Sequence, residues 1–360
     1  SPEPSMTFDP ASLSQSWPLP SKPRPIVTFG AGSIVSDGHY PAYRKAGFPI
    51  AGLYDPDTAK AEAVAAKWGT RAFASMDEAL AVEDAVFDLA TPPAAHAGIL
   101  ACLPEGAPAL IQKPMGRDLA AASEILAICR ERRIVAAVNF QLRFAPMMLA
   151  LKDAIAKGWL GEVVDVDFWM ATDTPWKLWE FVFKEPRVEL SLHSIHYLAL
   201  IRQLLGDPAG VHVKTMGHPA HKVAQTRTSA ILDYGDRVRC ALSINHDHRF
   251  GRRHQACEFR ICGTEGAAYL HLGLNLDYPR GEPERLEIYP KGGSDWVDVP
   301  LQGAWMFDAF VGRMANLQRH AAGEDAELVS SVEDAWTTMA LIEAAFQSSV
   351  APATPLTPRP

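Results

Sequence analysis

A chain of 360 residues is long enough for two domains with cores of their own, and 48% hydrophobic against 21% charged residues is ordinary for a globular protein. No apolar run approaches the roughly 20 residues of a membrane helix, and a net charge of -8 gives no bulk attraction to nucleic acid or anionic lipid. The five cysteines, Cys102, Cys129, Cys240, Cys257 and Cys262, form no CxxC pair, so they read as small core thiols in a reducing, cytoplasmic setting.

Residues 1–23 are Pro/Ser-rich and read as a coil arm, lying on a neighbouring subunit, with residues 1–5 a tag remnant ahead of Met6. The apolar run Ile26-Val27-Thr28-Phe29 then breaks at Gly30-Ala31-Gly32, a helix runs to about Ala46, and a second apolar run ends at Asp55. That strand, tight turn, helix and strand form a dinucleotide-binding unit. Gly30 permits the turn, Gly32 the close approach of phosphates, and Asp55 accepts from ribose hydroxyls and repels a 2′-phosphate, favouring NAD over NADP. Ser33 and Ile34 open the helix and join the glycines as cofactor contacts, whereas Val35 replaces the third small residue of the fingerprint.

Helices at residues 58–68, 76–81, 96–102 and 119–130 alternate with strands at 85–90, 109–111 and 134–140, so residues 24–145 describe a doubly wound parallel sheet. After a helix at 147–156 the pattern changes. Residues 163–171 alternate as a half-buried strand, the polar and aromatic stretch after them reads as a loop or lid, and residues 190–205 form an amphipathic helix. Short strands with turn signals follow from Val211 to Tyr289, including a hairpin turn at Tyr234-Gly235-Asp236, and two more helices close the chain before a tail at 351–360. Residues 146–350 are therefore expected as an α+β domain with a large open, mainly antiparallel sheet.

The order of GAGSIV, Asp55, ATPPAAH (90–96), QKPMG (112–116) and NFQLRFAP (139–146) resembles the Gfo/Idh/MocA family of oxidoreductases. The resemblance implies an N-terminal Rossmann domain, NAD as cofactor, a carbohydrate-like substrate, and a homodimer or homotetramer built through the C-terminal sheet. It implies that Lys113, in the family's Glu-Lys-Pro motif written here Gln112-Lys113-Pro114, sits beside the nicotinamide and the substrate hydroxyl. Thr91, Pro92, His96 and Asn139 are placed at the cofactor, and Arg143 at the substrate. In relatives a helix ending in a Leu-Leu-Gly run supplies an Asp and, four residues later, a His. Alignment on Leu204-Leu205-Gly206 puts His196 on that histidine and Leu192 where the Asp is expected.

His196 is thus the expected general base, with His193 or Glu189 standing in for the missing carboxylate, since spacings of four and three put the three on one face of a helix. Trp176 and Trp179 in the lid are candidates for stacking on a sugar, with Trp176 assigned to the substrate. Glu189, His193 and His196, with His246 and His248, offer nitrogen and oxygen ligands for zinc or manganese, but hydride transfer needs no metal and none is expected. The activity expected is NAD-dependent oxidation or reduction of a sugar, polyol, cyclitol or sugar derivative. Two alternatives are an NAD-retaining glycosidase or lyase that oxidises the sugar transiently, and a non-enzymatic NAD sensor.

Overall fold

The computed structural model describes residues 7–360, so the expectation for residues 1–5 lies outside them. The first sheet is built from β1 (Ile26–Phe29), β2 (Ile50–Tyr54), β3 (Val86–Leu89), β4 (Pro108–Ile111) and β5 (Val135–Val138). All its strands are parallel, in the order β2-β1-β3-β4-β5, joined by α1 (Tyr40–Ala46), α2 (Thr58–Trp68), α3 (Met76–Leu80), α4 (Pro93–Cys102) and α5 (Leu119–Glu131). β1, β3 and β4 are buried at every position because helices cover both faces. Each large apolar side chain there contributes about 1.5–3 kcal/mol. Asp57 caps α2 by accepting from the Lys60 N–H, and Gly69 closes it in the left-handed conformation.

α6 (Pro146–Ala156), β6 (Val163–Ala171) and α7 (Ile195–Leu205) lead into the second half. β7 (Gly210–Met216), β8 (Arg227–Asp233), β9 (Arg239–Asn245), β10 (Ala256–Gly263), β11 (Ala267–His271), β12 (Arg285–Tyr289) and β13 (Val297–Asp298) complete an eight-stranded sheet. Its order is β13-β12-β11-β10-β6-β9-β8-β7. Only β6 and β9 pair in parallel; every other pair is antiparallel. β8 and β9 form the expected hairpin, with Gly235 at φ +76° in its turn. β8 alternates buried and exposed residues from Thr228 onward, the mark of a sheet packed on one face.

The final helices, α8 (Trp305–Ala321) and α9 (Val332–Val350), return to the first sheet. Met314, Ala315 and Leu317 of α8 share a core with Ile26, Leu53, Val86 and Leu110, and the Ser330 carbonyl accepts from the Val138 N–H. The two halves are therefore locked together by the C-terminal segment. The described part of the N-terminal arm, residues 7–23, expected on a neighbour, packs on its own chain. Leu13 is buried, Trp17 meets Phe144 edge to face and donates to Asp325, and Gln15 donates to the Pro300 carbonyl. Of the cysteines, Cys129, Cys240 and Cys257 are core residues as expected, but Cys102 and Cys262 are exposed.

Candidate active site

Ligands of a doubly wound sheet bind beyond the carboxyl ends of its strands. There β1 runs into Gly30 at φ +106°, where a Cβ would sit 2.3 Å from the Ala90 carbonyl oxygen, so no other residue fits. Gly32 is exposed, and a Cβ there would meet nothing within 4 Å, which leaves space for an incoming group. The helix begins at Ser33, and its first full turn, Val35–His39, is a π turn ahead of α1. A π turn holds one more residue than an α turn, and it seats Val35, fully buried, where the fingerprint calls for a small residue. Asp55, just beyond β2, accepts from the Ala31 N–H (2.9 Å) and the Asp57 N–H (2.8 Å). Its carboxylate therefore lies against the glycine turn, the place a ribose-binding acid must occupy.

Between the two halves lies a cavity of ≈ 1520 Å³, lined by Thr91, Pro92, Gln112 and Lys113 from the first sheet and by His193, His196 and Tyr197 from the second half. Residues 174–187, expected as a loop or lid, form a further wall as a loop with two short 3-10 turns. Beyond β4, Lys113 is half-buried, and its Nζ donates to the Leu192 carbonyl at 2.5 Å. Among the described residues it has no carboxylate partner. Burial alone brings its pKa down from the usual lysine range to about 8. At the family's Asp position the chain thus offers only a backbone carbonyl.

Gln112, at the position of the motif's glutamate, is a hydrogen-bond acceptor beside the lysine. Its Oε1 accepts from Asn139 Nδ2 (2.6 Å) and from the Lys113 N–H (3.2 Å). An amide oxygen suffices for both bonds but adds no negative charge beside the lysine.

The regular helix expected from 190 to 205 begins instead with a π turn, Glu189–His193, in which the Ser194 N–H bonds the Glu189 carbonyl at 2.9 Å, before α7 starts at Ile195. The extra residue breaks the four-and-three spacing. His193 and His196 reach the cavity, whereas Glu189 turns into the sheet and is fully buried. Both histidines are held well below the usual histidine range, mainly by burial and in part by the Lys113 charge. Both are therefore neutral imidazoles near pH 7. The Nδ1 atoms of His193 and His196 are buried without a hydrogen-bond partner.

Several expected ligand contacts are structural instead. Glu189 does not reach the cavity: its oxygens accept from Ser194, from Thr228 Oγ1 (2.7 Å) and face His246 Nε2 (3.2 Å). Arg143 does not reach the substrate space: 1% exposed, it donates to the Ala199 and Val329 carbonyls and to Asp334, pinning the 3-10 turn at residues 141–144 to α7 and α9. Trp176 is buried against His246, ring centroids 4.9 Å apart, and Trp179, 5.4 Å from Tyr278, lines the cavity in its place. His96 is buried between the Met115 and Thr91 carbonyls, where it braces the Thr91 turn. Asn139 is buried on Gln112, one residue removed from the cavity. His248 faces the Arg253 carbonyl and joins no cluster with His246. Asn275 and Tyr278, from the loop after β11, line the cavity and carry no sequence signal beyond an unremarkable turn.

The family model described as an oxidoreductase family with an NAD-binding Rossmann fold matches residues 25–140, and that of the Gfo/Idh/MocA C-terminal domain matches residues 148–269. The chain belongs to the Gfo/Idh/MocA family. It is an enzyme of that oxidoreductase class, with the family's NAD-binding domain. A D-apiose dehydrogenase of Paraburkholderia graminis is 25% identical over 87% of this chain and 84% of its own length. An inositol 2-dehydrogenase of Leifsonia xyli subsp. xyli is 34% identical over 38% of this chain and 41% of its own. An oxidoreductase from Agrobacterium radiobacter, solved with NAD+, L-tartaric acid and magnesium, shares the fold with a TM-score of 0.77 at 20% identity, over 91% and 96% of the two chains. Among the described residues no helix is long and apolar enough to cross a membrane.

Proposed function

We propose that this enzyme transfers a hydride between NAD and a CH–OH carbon of a sugar, polyol, cyclitol or sugar derivative. The observation that carries the proposal is Lys113, a half-buried lysine with no carboxylate partner among the described residues and a pKa of about 8, in one cavity with the neutral imidazole of His196. Gly30, Gly32 and the helix start at Ser33 and Ile34 suit a pyrophosphate, Asp55 suits an adenosine ribose without a 2′-phosphate, and Thr91 and Pro92 suit the nicotinamide end. NAD bound there supplies the hydride acceptor or donor.

Lys113 polarises the substrate oxygen with its ammonium, held in place by the Leu192 carbonyl. His196, whose ring lines the cavity, takes the hydroxyl proton on its imidazole while the C–H bond breaks. His193 stands beside both and orients the hydroxyl. Trp179 and Tyr278 offer an aromatic wall to the apolar face of a sugar ring. The relatives named D-apiose, inositol and UDP-N-acetylglucosamine dehydrogenases support the substrate class. Assembly through the outer face of the eight-stranded sheet belongs to the same proposal and is checked by sedimentation.

NADH formation across a panel of sugars, inositols and sugar acids tests the proposal, with Lys113→Ala and His196→Ala as controls. Turnover by the wild type and its loss in both variants is expected. Full activity in both variants refutes the mechanism. Glycoside cleavage without net NADH, by protein that retains NAD through purification, selects the transient-oxidation alternative.

A further inference from the structure

The π turn Glu189–His193 and the residue after β9, His246, bring one ligating atom from each of Glu189, His193 and His246 to within 4.8 Å of one another. Glu189 and His246 are fully buried, and His193 forms part of the cavity wall. Among the described residues no Lys or Arg pairs with the Glu189 carboxylate, which meets the His246 ring and lies close to His193. A buried carboxylate without a full positive charge is costly, and a cation at this point removes that cost.

Hydrogen bonds already orient the two buried ligands. His246 Nδ1 bonds Thr174 Oγ1 at 2.7 Å, which leaves Nε2 turned toward Glu189. Glu189 Oε2 accepts from Thr228 Oγ1 at 2.7 Å, and Oε1 accepts from Ser194 Oγ and faces His246 Nε2 at 3.2 Å. Outer-shell bonds of this kind set the tautomer and angle of metal ligands. His193 adds a buried Nδ1 with no partner, and its ring stands at 88° to that of His246 with centroids 4.5 Å apart.

We propose that Glu189, His193 and His246 bind one divalent transition metal ion, zinc foremost, with its fourth position open to the cavity. Two imidazoles and one carboxylate make a nitrogen-rich set that suits zinc and disfavours magnesium and calcium, and three protein ligands with one open place is the arrangement of reactive rather than structural zinc. A tetrahedral ion about 2.1 Å from each donor holds them about 3.4 Å apart. The small closure this needs falls to His193, the least buried of the three. In the chain's hydride transfer, a role that rests on the proposed function, the ion takes a substrate oxygen as its fourth ligand, supplying beside Lys113 the orientation that the absent Asp would give. Binding itself does not depend on that function.

The full-length protein, stripped with a chelator and dialysed, is titrated with Zn2+ by calorimetry, with metal content read by mass spectrometry. One Zn2+ per chain is expected, weakened at least about tenfold in His193→Ala with an unchanged circular dichroism spectrum. Because Glu189 and His246 variants risk misfolding, the second measurement uses Co2+. The wild type is expected to show the visible bands of a four-coordinate ion, absent in His193→Ala. A folded wild type that takes up no zinc, or zinc binding unaffected by His193→Ala, as at the stacked His218 and His221 rings, overturns the proposal. Zinc bound at this site in protein inactive toward every sugar tested leaves the metal site standing and rejects the hydride-transfer proposal.

Discussion

Two helices of this chain begin with a π turn, and the polar groups they carry have opposite fates. In the first, Val35–His39, the His39 ring meets Asp88 Oδ2 at 2.8 Å, and Tyr43 donates to the same oxygen at 2.7 Å, all within a sealed core beside Arg313. Burial lowers the His39 pKa, and the Asp88 carboxyl is kept low by His39 and Arg313 against its own desolvation. In the second, Glu189–His193, His193 and its neighbour His196 line a cavity beside Lys113, which among the described residues has no carboxylate partner. Titratable groups paired with an opposite charge under a sheet hold the fold; those without one at a cavity are available to a substrate.

The sharpest break of that comparison is at Lys113. Lys113→Met is expected to lower kcat by about 10²–10⁴-fold, and, by removing an ammonium that burial disfavours, to stabilise the fold by about 1–3 kcal/mol. Steady-state rates and denaturant unfolding check the two halves. His196→Ala is expected to lower kcat about 10²-fold with little change in unfolding midpoint. Asp88→Ala should do the reverse. It strands His39 and Arg313 and costs about 3–5 kcal/mol, with turnover per folded molecule unchanged.

The same cluster sets the acid limit. A buried His39 and a buried Asp88 with depressed values both leave the unfolded chain binding more protons. Stability from His39 is therefore complete above the ordinary histidine value and declines as pH falls below it, and that from Asp88 declines below the ordinary carboxylate range. Asp88→Ala removes the part of this dependence below the carboxylate range and keeps the part from His39, read in urea midpoints measured across pH. The smallest effect concerns the cofactor: Asp55→Asn is expected to narrow the preference for NAD over NADP about tenfold, read from the ratio of kcat/KM values.

Elements that follow local periodicity were legible from the residues. The glycine turn, Asp55, the capped helix at 58–68 and the strand at 163–171 appear where apolar spacing and turn residues put them. Lys113 at the end of β4 and His196 at the cavity were also within reach, through motif and alignment. The π turn at Glu189 was not, because one inserted residue leaves no trace in composition yet turns Glu189 from the cavity into the sheet. Arg143 and Trp176 were misplaced for a related reason. Their partners, Ala199 with Asp334 and His246, lie far along the chain, and only the packed structure shows that those partners consume them. Trp179, three residues from Trp176, takes the cavity position that composition alone could not apportion between the two.

The central claim is that Lys113, unpaired and desolvated, acts on the substrate oxygen. The pH dependence of kcat/KM for alcohol oxidation, compared between wild type and Lys113→Arg, tests it most directly. An inflection near the lysine's value of about 8 in the wild type, absent in Lys113→Arg because arginine keeps its charge, is the expected result. An unchanged profile in Lys113→Arg, with unchanged rate, contradicts it.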